Sequence, residues 1–208
     1  MAAIRTRQRN HEPRKRPVQS RSRHTVAAIV QAAAQVFDEI GYHETTTDRV
    51  ANRAGVSIGT LYQYFPDKDV LLVALFEHHL EETRELYARL GERLDARLPP
   101  DEVVTSCVAE MFALHRRHPR VHRIFIEEAP LPARVFTTYA EQERPLRARW
   151  ASYLNGRVTD PELVATLIVA ALETLTHRLT LYPPAGRSAA DLEAAMVAML
   201  VAYVGAAR

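Results

Sequence analysis

The chain has 208 residues, 47% of them hydrophobic, a formal net charge of +2, seven glycines and one cysteine. That length buries roughly 70% of the unfolded surface, enough for one good core plus a small appended domain, and a lone cysteine excludes an internal disulfide and fits a reducing compartment. The longest uncharged run, Ala194 to Ala207, spans 14 residues, short of the roughly 20 that cross a bilayer, and the first 24 residues carry no apolar signal region, so a cytoplasmic protein without membrane contact is expected.

Residues 1–21 read as a basic, disordered arm. Arg5, Arg7, Arg9, Arg14, Lys15, Arg16, Arg21 and Arg23 stand against only Glu12 in the first 24 positions. Such a density attracts phosphate without sequence preference, although it also suits a solubilising tail. The asymmetry continues to Lys68, with 11 Lys or Arg against 6 Asp or Glu, while the remainder has 16 against 19. Val26, Ile29, Val30, Ala33, Phe37 and Ile40 then repeat at helical spacing, and Gly41 stops that first helix.

Thr46 or Thr47 caps a second helix carrying Val50, Ala51 and Ala54 on one face, and Gly55 reverses the chain. Ser57 caps a short third helix, Ile58 to Tyr64, with Leu61 and Phe65 turned inward. Two short helices joined by a glycine turn form a helix-turn-helix. Its remaining face, Ile58, Gly59, Tyr62 and Tyr64, is small, aromatic and almost uncharged, a surface suited to base edges. Half-buried packing is the competing reading for the two tyrosines, stronger for Tyr64.

Asp67 caps a long fourth helix to about Leu90, and Pro99-Pro100-Asp101 begins a fifth with Val104, Cys107, Val108, Met111 and Phe112 on its apolar stripe. Cys107 reads as core packing. Pro119, Pro130 and Pro132 leave a short helix around Val121 to Glu128, and a seventh helix spans Ala133 to Asn155 with Pro145 kinking it. Asp160-Pro161 starts helix eight, and Ser188 with Asp191 starts helix nine. The fold class is all-α, about nine helices, with a three-helix N-terminal domain and a C-terminal helical bundle. Helices eight and nine are too apolar for one packed face, so a second buried face is implied.

His115, His118 and His122 are spaced by three and four residues, which on one helix would gather imidazoles for zinc or nickel. Pro119 breaks that helix and four arginines surround it, so no metal or other cofactor is expected, and the three histidines read as hinge or surface groups. A nucleophile elbow, a zinc-protease helix and a phosphate loop are all missing from the sequence, so no catalytic residue and no enzyme are expected.

The run Thr60-Leu61-Tyr62-Gln63-Tyr64-Phe65, continued by Pro66-Asp67-Lys68 into Val70-Leu71-Leu72, resembles the DNA-binding domain of the TetR family of bacterial transcriptional regulators. The resemblance implies a DNA-binding domain over 22–68 and a ligand-binding and dimerisation domain over 69–208, with the fourth helix as connector. It assigns Ile58, Gly59 and Tyr62 to base edges, Thr47, Thr60, Tyr64 and Lys68 to phosphates, Ser57 to the same DNA-facing turn, and Arg21 and Arg23 to a minor-groove arm. Lys68 stands out because the chain holds 25 arginines and only two lysines.

The implied function is a homodimeric, nucleoid-associated repressor that binds a palindromic operator and is released by a small molecule; an effector-independent or protein-partnered activator or architectural factor is the alternative. Dimer contacts are expected from Leu167, Leu175, Leu192, Met196, Met199, Leu200 and Tyr203 on helices eight and nine. A ligand cavity is expected among Met111, Phe112, His115, Phe125, Tyr139, Trp150, Tyr153, Glu173 and His177, with ordinary core as the competing reading.

Overall fold

A computed structural model describes residues 20–128 and 132–207. Among them are nine α-helices and no strand: α1 (Ser20–Glu44), α2 (Thr47–Ala54), α3 (Ile58–Tyr64), α4 (Lys68–Asp95), α5 (Pro100–His115), α6 (Pro119–Arg123), α7 (Ala133–Leu154), α8 (Pro161–Leu181) and α9 (Ala189–Ala206), with a single π-helical turn (Ile124–Glu128) after α6. The chain divides into two compact units between Glu77 and His78, within α4.

In the first unit, α1 carries Ile29, Ala33 and Phe37 into a core closed by Val50, Leu61, Phe65 and Leu71, all fully buried or nearly so. The helical path of α1 breaks at Gly41, whose φ of 80° only glycine adopts readily. Thr46 caps α2 by accepting the Arg49 N–H at 3.3 Å. Gly55 ends that helix in the left-handed region at φ 67°, and the Val56 N–H reaches back to the Ala51 carbonyl at 3.0 Å. Ser57 Oγ accepts the Thr60 N–H at 3.1 Å to start α3, and Asp67 Oδ1 accepts the Val70 N–H at 2.9 Å at the start of α4. Each cap satisfies a backbone donor that a helix N-terminus leaves open and contributes about 1 kcal/mol.

The second unit is built on one hydrophobic cluster in which Leu86, Leu90, Cys107, Met111, Phe112, Trp150, Leu154, Ile168, Leu172 and Met196 take part. Burial pushes the Cys107 thiol up to about 12, so it packs as a small apolar group, as its place on the α5 stripe suggested. α4 runs five residues past Leu90 to Asp95. Asp160 caps α8 through the Leu163 N–H at 3.1 Å, with Pro161 in the first turn. Ser188 and Asp191 form a reciprocal capping box at α9, through bonds of 3.1 and 2.8 Å.

By length and composition alone α8 and α9, with mean hydropathies of 1.3 and 1.5, are apolar enough to cross a membrane, although α9 fell short when only its uncharged run was measured. Core helices share that property. Here both contribute to the cluster, α8 through Ile168 and Leu172 and α9 through Met196 and Leu200.

Candidate nucleic-acid interface and a buried polar cluster

The surface of α3 follows from its caps and its inward anchors. With Leu61 and Phe65 buried, the helix must turn Ile58, Gly59 and Tyr62 outward. Tyr62 keeps 42% of its surface exposed, and its hydroxyl shares a hydrogen bond of 3.0 Å with Thr47 Oγ1 from α2. Thr60 Oγ1 lies 2.8 Å from Ser57 Oγ. Ile58, Gly59, Tyr62, Thr47, Ser57 and Thr60 therefore form one patch of hydroxyls around an apolar and a glycine position. A Cβ built on Gly59 would meet nothing nearer than Ser57 Oγ at 3.9 Å. Internal packing does not demand glycine there.

Two residues expected on that surface behave differently. Tyr64 is buried, because it follows Leu61 by three residues and shares its face of α3, so the packing reading holds for it and little of it is left for phosphate. Lys68 turns back into its own unit. Its ammonium donates to the carbonyls of Tyr42 at 2.8 Å and His43 at 3.1 Å and lies 4.4 Å from the centre of the Tyr42 ring. It closes the C-terminal end of α1, where cations are favoured. Arg23 is exposed; the Arg21 side chain and the rest of the arm lie outside the described residues.

The second unit holds a cluster of a different kind. His79 from α4, His115 from α5, His122 from α6 and His177 from α8 gather their rings, with centroids 4.6 Å apart for His79 and His122, 4.7 Å for His115 and His122, and 4.1 Å for His115 and His177. Phe125 in the π-helical turn stands 6.1 Å from both His79 and His122. Glu173, one turn before His177 on α8, is buried, and the Tyr87 hydroxyl donates to its Oε1.

Burial sets the charge of this cluster. It pushes His79 and His115 down to about 3 and His122 lower still, with neighbouring imidazoles adding to the effect, and it lowers His177 as well. The same desolvation raises Glu173 to about 8. At neutral pH the four imidazoles are uncharged and the carboxyl holds its proton. His115 Nδ1 lies 2.7 Å from the Met111 carbonyl and His177 Nδ1 2.9 Å from the Glu173 carbonyl. A carbonyl only accepts, so each Nδ1 carries the hydrogen and each Nε2 keeps its lone pair. His115 Nε2 is buried and meets no hydrogen-bond partner.

Two family models match the chain: bacterial regulatory proteins of the tetR family over residues 29–75, and the tetracyclin repressor-like C-terminal domain over residues 99–203. The chain belongs to the TetR family. It is similar to the transcriptional repressor KstR2 of Mycolicibacterium smegmatis, 28% identical over 173 residues that cover 78% of this chain and 82% of that one. The fatty acid metabolism regulator protein of Bacillus subtilis is 31% identical over 86 residues, 41% of this chain and 43% of its own length. This TetR-family chain thus spans less than half of that regulator. A solved TetR-family regulator from Mesorhizobium loti shares the fold, with a TM-score of 0.73 at 22% identity, covering 90% of this chain and 98% of its own.

The expected ligand set of this TetR-family protein separates into two groups. His115, Phe125, Glu173 and His177 converge on the imidazole cluster, whereas Phe112, Trp150 and Tyr153 are core, and the Tyr153 hydroxyl is taken by the Leu98 carbonyl at 2.6 Å. Met111 is core through its side chain and meets the cluster through its carbonyl. The Tyr139 side chain lies outside the described residues. His118 stays out of the cluster, while His79 and His177 join His115 and His122, so the reading of hinge or surface histidines fails for two of the three.

The expected dimer residues divide in the same way. Leu192, Met196 and Leu200 are buried within their own chain, whereas Leu175 and Tyr203 pack against the same core with part of their surface still outside. What α8 and α9 leave outside is Leu163, Leu167 and Met199, at 53%, 46% and 45% exposure. The apolar stripes are real, but the side of them facing the protomer's own core is already used.

Proposed function

We propose that the chain is a cytoplasmic DNA-binding transcriptional regulator, a homodimeric repressor that binds a palindromic operator through α3 and leaves it when a small molecule occupies the C-terminal unit. The observation that carries this reading is the α3 surface. Ile58, Gly59 and Tyr62 stand outward among the hydroxyls of Thr47, Ser57 and Thr60, where hydroxyls suit phosphate oxygens and an isoleucine suits a thymine methyl. Glycine at position 59 fits a backbone that must come close to something outside the protein.

Dimerisation is supported by the outward Leu163, Leu167 and Met199 on helices too apolar for a water-facing surface. One seven-residue recognition helix reads few base pairs; two on a dyad read half-sites roughly 34–36 Å apart. An effector that binds the DNA-free state more tightly shifts the dimer away from operator. The test is capture of genomic fragments by the purified protein, followed by displacement with a small-molecule panel. A short palindrome released by a compound supports the repressor. Binding without palindromy or release favours the effector-independent regulator.

A further inference from the structure

We propose that the cluster of His79, His115, His122, His177 and Glu173 is a binding site for a divalent transition metal ion of the zinc, nickel or cobalt kind. Five potential donors from four helices meet inside one unit. Their ligating atoms fall into two triads, His79–His115–His122 and His115–Glu173–His177, within each of which the atoms lie within 4.8 Å of one another. A tetrahedral ion with bonds of about 2.1 Å holds its donors roughly 3.4 Å apart, so side-chain rotation of about 1 Å closes either triad. His115 is common to both, which places the ion beside it.

The orientation of the rings is that of ligands. A metal-bound histidine typically donates its other N–H to a carbonyl or carboxylate, which fixes the tautomer and aims the lone pair at the ion. His115 does this toward Met111 at 2.7 Å and His177 toward Glu173 at 2.9 Å. The Nε2 of His115 is then a buried acceptor without a donor, a costly arrangement unless something external fills it. Tyr87 donates to Glu173 Oε1, the outer hydrogen bond that ligating carboxylates carry.

Packing alone does not explain the group. A core that needed only volume would use apolar side chains, and three buried imidazoles, a half-buried fourth and a buried carboxyl lose hydration for no apolar gain. The donor chemistry narrows the ion. Imidazole nitrogens with one carboxylate suit zinc, nickel, cobalt or iron rather than magnesium or calcium, and no thiolate joins the cluster to favour copper(I). Ligation takes neutral imidazoles and an ionised carboxylate, so any proton on Glu173 leaves to solvent as the ion enters.

The site is independent of the operator reading and is tested on the purified full-length protein alone. After treatment with a chelator, the protein is titrated with Co2+ while the visible absorption is followed, and with Zn2+ by calorimetry. One ion per protomer is expected, with the intense bands of four- or five-coordinate cobalt, displaced by zinc. His115→Gln and His122→Gln are each expected to weaken zinc binding about 100-fold, and Tyr87→Phe, which touches only the outer hydrogen bond, roughly tenfold. His118→Gln, outside the cluster, is the control and should bind as the unaltered protein does. Circular dichroism of each metal-free variant checks folding, and the isosteric Glu173→Gln gives a second reading if a histidine variant fails to fold. Absence of stoichiometric binding overturns the proposal, as does binding that both His115→Gln and His122→Gln leave unchanged.

Discussion

The two units bury polar groups by opposite rules. In the first, the caps Thr46, Ser57 and Asp67 accept N–H groups three residues on, Lys68 reaches back to the end of α1, and Ile58 and Tyr62 point outward. In the second, Glu173 and three imidazoles are buried beside a half-buried fourth, His177, and they come from helices as far apart in sequence as α4 and α8. A surface meant to meet a large, water-covered partner leaves its chemistry exposed, whereas a site meant for a small guest is lined before the guest arrives. The comparison also separates rigidity from specificity: the first unit is held by caps and core, and its outward face is free to vary without cost to the fold.

The largest effect that sharpens this contrast lies on α9 and α8. Leu200→Arg forces a charge into the protomer core and is expected to cost on the order of 3–5 kcal/mol, visible as loss of cooperative thermal unfolding. Leu167→Arg should leave the fold intact and, if the proposed dimer uses this face, sediment as a monomer. A Leu200→Arg protein that remains folded and monomeric would return the interface to the buried residues.

Next comes Lys68→Met, which removes two charged hydrogen bonds to the end of α1 and is expected to lower stability by about 1–2 kcal/mol. A salt slope of operator binding that falls by about one unit would add a phosphate contact to that role; an unchanged slope would assign Lys68 to the helix end alone. Tyr62→Ala, at an exposed position, should instead weaken operator binding roughly tenfold, about 1.4 kcal/mol, with the melting temperature nearly unchanged.

The smallest effect is the most diagnostic. Gly59→Ala meets no obstruction inside the protein and gains helix propensity, so stability should rise by about 0.5–1 kcal/mol while operator affinity falls. Equal or better operator binding by that variant would remove α3 from the DNA interface.

The fold was legible wherever the signal was local. Ser57, Gly55, Asp67, Asp160-Pro161 and the Ser188–Asp191 box each announce a helix end through a hydrogen bond spanning three or four residues, and each is found where the sequence places it. Periodicity also finds the stripes of α8 and α9 but not which neighbour covers them, which is why Met196 and Leu200 were assigned outward when they face their own core. The polar cluster was least legible. Local spacing pointed to His118, because residues three and four apart seem to share a face, yet Pro119 starts a new helix and only tertiary packing brings His79 to His122. On α3 Ile58 and Tyr62 stand outward, where the sequence places them, and at Tyr64 the packing alternative won.

Cys107 gives the second unit its own clock. As the single cysteine of the chain, fully buried and with its thiol held far from the reactive thiolate, it is closed to a maleimide while the helices stay together. Alkylation can proceed only as fast as the unit opens. Labelling rates followed by mass spectrometry therefore measure the breathing of that interior without an introduced cysteine, and a guest that tightens it will be seen as a cysteine that takes longer to react.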